Sequence, residues 1–236
     1  MRLRYVLLTA LAATLAGGCG GGSDTPRYTE RSIQRGFVTA ADIGKGAISF
    51  KDPEHGTHII YTPPDSVPTC PYAQRADDVS GQVDAAVQLD GGNATGRFIV
   101  GPPNPERTPL PVVTQGAVVF KTDALGVAGM KKVTAAAAKC PAAFTILGGP
   151  PIVVGHYTVH SRPLELAGWK GFAQQLAHTS PRDINPDTYD DLVTIVVQKS
   201  NAILYAGFAQ IKKIGQRADS SSKAEAVMKD TLERLG

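Results

Sequence analysis

Five histidines and three cysteines are the side chains best suited to chemistry in this chain of 236 residues. His55 and His58, with Glu54 beside them, can offer metal ligands from a loop. Surface histidines near turns are the favoured alternative reading there. His156 and His160 stand at i and i+4 in a stretch that reads as strand. On a strand such a pair is about 13 Å apart, so the two cannot grip one zinc ion unless the segment is helical. The adjacent carboxylates Asp77-Asp78 and Asp190-Asp191 would point to opposite faces of a strand, which suits turns and caps better than an acid/base pair. The sequence holds no Gly-x-Ser-x-Gly elbow, no His-Glu-x-x-His, no Walker loop and no dinucleotide fingerprint. Gly91-Gly92 and Gly148-Gly149 lack the flanking pattern for the last two. The expectation is therefore a protein that is not an enzyme and has no cofactor and no metal.

The cysteines divide by position. Cys19 follows a charged start (Arg2, Arg4), an apolar stretch from Tyr5 to Leu15 and the small residues Ala16-Gly17-Gly18. That is the layout of a secretory signal peptide, here residues 1–18, to be set aside from the fold. Leu15-Ala16-Gly17-Gly18-Cys19 resembles the lipobox of bacterial lipoproteins, with Ala16 where that family prefers Leu. The resemblance implies a lipid on the Cys19 thiol and a protein held on the extracytoplasmic face of the cell membrane. An ordinary secreted protein cut nearby is the alternative. Residues 19–35 read as a flexible Gly/Ser-rich tether. Without Arg2 and Arg4 the formal charge of +3 falls to about +1. Neither nucleic acid nor anionic lipid would be held by so little charge, and no apolar run reaches the roughly 20 residues that span a bilayer. The membrane partner is thus expected through the lipid alone.

Cys70 and Cys140 remain in the body. In an oxidising compartment an even remainder reads as a disulfide. It would close a loop of about 70 residues, worth roughly 4 kcal/mol in the chain-entropy model. A catalytic thiol is the alternative, but both cysteines precede proline and neither sits in a nucleophile motif.

The elements that must position these groups follow from periodicity. Residues 39–44 suit a helical turn closed by Gly44, and residues 47–50 and 57–62 suit strands. A helix can start at Pro71. Residues 83–89 and 96–100 suggest a hairpin about Asp90-Gly91-Gly92-Asn93. Ala117–Phe120 reads as strand, and Asp123 caps a helix to about Lys139 with Val127, Met130, Val133 or Thr134, and Ala137 inward. Residues 142–147 and 152–160 are strand candidates, and 166–177 is ambiguous. The clearest hairpin joins Asp191–Gln198 to Ala202–Phe208. A last helix starts at Ser222 in a Ser-x-x-Glu capping box, with Ala224, Val227, Met228, Thr231 or Leu232, and Leu235 as its apolar face. These elements predict a single α+β domain over residues 36–236, mainly antiparallel sheet with helices packed on one face.

The order of these features resembles the extracellular sensor domain of the PknH-type mycobacterial serine/threonine kinases and related lipoproteins. The carrying segments are Ala41-Asp42-Ile43-Gly44, Val118 through Met130 to Cys140, Asp191–Val197 with Asn201–Leu204, and the C-terminal helix. That family has a second disulfide, and Trp169-Lys170-Gly171 stands where its cysteine is expected. The resemblance implies a cleft that takes a small ligand, and no catalysis. For the cleft the sequence offers Trp169 between glycines, with His156, Tyr157, His160 and Arg162 nearby, Arg162 suiting an anionic group. A core tryptophan is the alternative. The function expected is a ligand-binding or sensor lipoprotein gripping a small molecule, envelope lipid or glycan. The alternatives are an interaction lipoprotein docking to a membrane protein through the hairpin edge near 191–208, and a cell-envelope hydrolase.

Overall fold

The central strands form where apolar residues run nearly unbroken, because a strand covered on both faces carries apolar side chains on both. Leu192–Val197 and Ala202–Phe208 are such runs, and every residue in both is buried. The computed structural model describes residues 27–50, 66–70, 86–101, 111–147, 154–178 and 188–236. In chain order the elements are α1 Glu30–Gly36, α2 Ala40–Ile43, β1 Ile48–Phe50, β2 Ser66–Pro68, β3 Ala86–Gln88, β4 Gly92–Val100, β5 Val112–Phe120, α3 Asp123–Ala137, β6 Ala143–Leu147, β7 Val154–Leu166, β8 Trp169–His178, β9 Thr188–Lys199, β10 Ala202–Lys213 and α4 Ser220–Leu235. The strand expected at 57–62 and the helix expected from Pro71 lie outside the described residues.

Eight strands make one antiparallel sheet in the order β1-β4-β5-β10-β9-β8-β7-β6. β2 and β3 pair separately as a small second sheet. The class is α+β, as the pattern predicts. The ambiguous stretch 166–177 is β8, joined to β7 by a two-residue turn at Ala167 (φ 49°) and Gly168 (φ 75°). Both central residues are left-handed, the geometry that matches the twist of a tight hairpin, and Gly168 adopts it without a Cβ penalty. The β9–β10 turn is equally short, with Ser200 at φ 50°.

The helices cover both faces of the sheet, which corrects the one-face expectation. Side chains alternate along a strand, so odd and even positions of β9 face opposite ways. Val193, Ile195 and Val197 join Ala202, Leu204, Ala206 and Phe208 in a core under α1 and α4. Val196 joins Ile203, Tyr205, Val118 and Phe120 in a second core with Val133 of α3 and Val67 of β2. The strand residues are apolar on both parities, and a one-sided sheet would not need that.

Three local readings change. The inward face of α3 is Gly126, Gly129 and Val133, while Val127 is 58% exposed. The glycines let the helix sit against backbone: a Cβ on Gly126 would lie 2.5 Å from the Ser200 carbonyl oxygen. Of the expected stripe, Val133 is buried and Met130 packs against the same core, and Val127 points out because close approach at the glycines sets the helix orientation. The N-cap is Thr122, whose side chain accepts from the Leu125 amide, rather than Asp123. The expected β3–β4 hairpin does not form. Asp90 and Gly91 do turn the chain, but β3 pairs with β2 and β4 enters the large sheet between β1 and β5.

At the C-terminus, α4 begins two residues before Ser222, with Asp219 at the N-cap position, so the Ser222–Glu225 box is not the start. Its expected apolar face holds: Ala224, Val227, Met228 and Leu232 are buried. Burial pushes the Asp219 carboxyl up, but hydrogen bonds from Lys212, Lys223 and Gln210 outweigh it and bring its pKa down to about 2. At the other end Arg234 bonds Asp42, and with the Thr39 amide and hydroxyl it holds that carboxyl well below the usual range.

Residues 27–35, which composition assigns to the tether, belong to the folded body. Thr29 caps α1, Ile33 is fully buried, and Tyr28 is held by Asn201 in the β9–β10 turn. The Tyr28 amide donates to Asn201 Oδ1 at 2.9 Å, and Asn201 Nδ2 donates to the carbonyls of Tyr28 (2.9 Å) and Phe120 (2.8 Å). One buried amide thus satisfies three backbone groups on two segments.

Candidate functional site

β7 carries most of the residues singled out in the sequence, and its register decides which can act together. Leu164 and Leu166 pack into the core under α4, so positions 162, 160, 158 and 156 look to the same side. Arg162 reaches α4 itself and pairs with Glu225, which also accepts from the Ser221 hydroxyl at 3.2 Å. His156 and His160 are exposed along this line, and Thr158 between them is half-buried. Thr158 Oγ1 stands 3.4 Å from His160 Nε2 and contacts the Ala177 carbonyl. Gln175 lies directly across from His160 on β8. α4 lies over β9 and β10, and among the described residues no helix packs over this stretch of β7 and β8, which forms a shelf beside α4.

The shelf offers two imidazoles, a guanidinium, a hydroxyl and an amide over four strand positions. That chemistry suits hydrogen bonding to an extended polar or anionic ligand. Among the described residues no group of three or more His, Cys, Asp or Glu could hold a metal ion. His55, His58 and Glu54 lie outside the described residues.

Two of the five expected cleft residues are elsewhere. Tyr157 is buried on the opposite face, where its hydroxyl donates to Asp190 Oδ2 at 2.6 Å. Trp169 is 1% exposed, and its ring packs on Tyr28 with centroids 5.0 Å apart. It is a core tryptophan, the alternative named above. Period-two alternation already separates Tyr157 from His156 and His160. Glu225, Ser221 and Gln175 come from other elements, and no local signal in the sequence ties them to β7.

On the α3 face Cys70 and Cys140 form a disulfide with Cα atoms 5.8 Å apart. It ties the end of α3 to β2, against a small core of Tyr157, Leu176 and Leu192. Beside that core two buried oxygens have no hydrogen-bond partner, Gln174 Oε1 and Thr194 Oγ1. On the α4 face Asp191 Oδ1 is likewise unpaired, although Oδ2 accepts from the amides of Asp219 and Ser220 and from Gln210 Nε2. Each such atom ordinarily costs about 1–3 kcal/mol.

No protein-family model matches the chain, and no curated protein sequence matches it. Among solved structures the chain is similar to the extracellular domain of PknH from Mycobacterium tuberculosis, at 12% identity and a TM-score of 0.49, over 89% of this chain and 99% of that one. A likeness this distant concerns the outline of the fold.

Proposed function

We propose that the protein is a non-catalytic lipoprotein, anchored through Cys19 on the extracytoplasmic face of the membrane, that binds a ligand on the β7–β8 shelf. The observation that carries the reading is the division of the cysteines. Cys70 and Cys140 are bonded to each other, which leaves Cys19 as the one thiol, at the position where a signal peptide with a lipobox would place it. The bridge also fits an oxidising compartment. No helix among the described residues is long and apolar enough to cross a membrane, so the lipid is the attachment this reading relies on. His156, His160 and Arg162 suit a ligand with anionic or hydroxyl groups, such as an envelope lipid headgroup or a glycan.

Docking to a membrane protein by strand addition at 191–208 loses its basis, because β9 and β10 are flanked on both sides by β8 and β5. The anchor is tested by expressing the full chain and Cys19→Ser with a radiolabelled fatty acid. The wild type should carry label and partition into detergent, and the variant should do neither. Label retained by Cys19→Ser would sink the anchor. The ligand is tested by thermal shift against envelope lipids and glycans, comparing the wild type with Arg162→Ala and His160→Ala. A shift common to all three proteins would remove the shelf from the reading.

A further inference from the structure

The side of α3 turned away from the sheet carries charge of one sign. Gly126, Gly129 and Val133 face inward. Successive helical residues are about 100° apart, so Lys131, Lys132 and Lys139 fall within about 100° of arc on the outward side, and all three are exposed. Lys121 stands exposed just before the helix. The helix carries one carboxylate, Asp123 in its first turn, and the sequence has no further Asp or Glu until Glu165. Among the described residues none of these four lysines has a salt-bridge partner. Leu125 and Val127, 45% and 58% exposed, flank the lysine side near the start of the helix. The near-neutral total hides this cluster because the carboxylates lie elsewhere. On the other face, α4 sets Glu225, Asp230 and Glu233 beside Lys223, Lys229 and Arg234.

The segment leading to Cys19 leaves the fold beside this helix. Gly126 packs on the Ser200 carbonyl, and Asn201 of that same turn holds Tyr28. The nine residues from Cys19 to Tyr28 span at most about 30 Å, more than twice the roughly 10–12 Å width of a helix. With Cys19 held in a bilayer, the outward side of α3 can therefore lie against the surface along its whole length, about 22 Å for 15 residues. The Cys70–Cys140 disulfide fixes the far end of the helix, so the lysines are presented as one strip.

We propose that the outward side of α3 docks on the anionic phospholipid headgroups of the bilayer that carries the Cys19 lipid. The proposal rests on the lipid-anchor reading. Lysine ammonium groups attract headgroup phosphates over about a Debye length, and their long stems let Leu125 and Val127 enter the interface beside them. A cluster this small would not capture a free protein, but the tether makes docking intramolecular, so a weak attraction counts. The β7–β8 shelf lies on the opposite face of the sheet, and docking turns it away from the lipid.

The test footprints lysines with an amine-acylating reagent on the full chain carrying a labelled fatty acid, reconstituted in phosphatidylcholine vesicles with or without phosphatidylglycerol. Lys131, Lys132 and Lys139 should react about fivefold more slowly on the anionic vesicles than on the neutral ones, with Lys223 and Lys229 of α4 unchanged. High salt should erase the difference. In the double variant Lys131→Gln/Lys132→Gln, whose changes are at exposed positions, Lys139 should regain its neutral-vesicle rate. Equal rates on both vesicles, slowing shared by Lys223 and Lys229, slowing confined to Lys121 and Lys199 at the strand tips, or Lys139 still protected in the double variant overturns the docking. The fatty-acid label in the same sample then shows that the anchor stands. A chain without label removes the anchor and the docking together.

Discussion

The two faces of the sheet solve the same problem differently. Under α1 and α4, most buried polar side chains are answered from distant parts of the chain. Gln115 accepts from the Val38 amide at 3.0 Å and from Thr231 at 3.1 Å, and returns a bond to the Val38 carbonyl at 3.1 Å. Asn201 does the same for Tyr28 and Phe120. Under α3, cohesion comes from two helix glycines, a disulfide and small apolar clusters, and polar atoms are left over. A face built from matched hydrogen bonds is rigid and specific, because each buried group tolerates few partners. A face closed by a covalent clamp tolerates imperfect polar pairing beneath it.

The strongest way to break this contrast is to cut the clamp. Cys140→Ser with Cys70→Ser should cost about 4 kcal/mol if the chain-entropy account holds. Hydrogen exchange should show the loss around the C-terminal turn of α3 and β2, with α4 and β10 still protected. Equal loss of protection on both faces would mean that the faces are not independent. Next in size, Asn201→Ala orphans three backbone groups and should cost about 3 kcal/mol. Limited trypsin digestion should then cut at Arg27, Arg31 or Arg35 well before the rest of the chain. A third probe is acid. The folded pKa of Asp219 is about 2, below the ordinary carboxylate value near 3.8. Its contribution is therefore complete above about pH 4 and is lost as pH falls toward 2. The side chain is 34% exposed, so screening limits the effect to about 1 kcal/mol. Fluorescence-detected melting from pH 5 to pH 2 should show a decline that flattens in Asp219→Asn. The smallest effect is expected for Arg162→Ala, under about 1 kcal/mol, since the ion pair with Glu225 is half in solvent. Its ligand response is the quantity to follow, and a large stability loss would make Arg162 structural.

The same contrast explains what was legible in the sequence. The β9–β10 hairpin and the inner face of α4 follow from apolar runs and a 3.6-residue period, so they could be placed within a few residues. The disulfide followed from cysteine arithmetic. The helix over 30–36 did not, because Glu-Arg-Ser-Ile-Gln-Arg-Gly has one large apolar residue. It is held by tertiary contacts, and the bond from Tyr28 to Asn201 spans 173 residues. For α3, Met130 and Val133 were legible as inward residues, whereas Gly126 and Gly129 were not, since glycines carry no hydrophobic signal. In the shelf, His156, His160 and Arg162 were legible as a strand face, whereas Glu225 joins them only through the packing of α4. Trp169, a lone tryptophan near glycines, is a core anchor for the N-terminal segment because its ring packs on Tyr28.

The Asn201 clamp also sets a mooring point. Cys19 precedes Tyr28 by nine residues, and a fully extended chain spans at most about 3.5 Å per residue. With the lipid on Cys19, the tips at Ala167-Gly168 and Ser200-Asn201 stay within about 30 Å of the bilayer surface. The strand ends at Thr188 and Lys213 lie at the far end of the sheet from these tips. A ligand bound along β7 would then be met within a bounded distance of the lipid, a limit that lengthening the segment between residues 19 and 27 would relax.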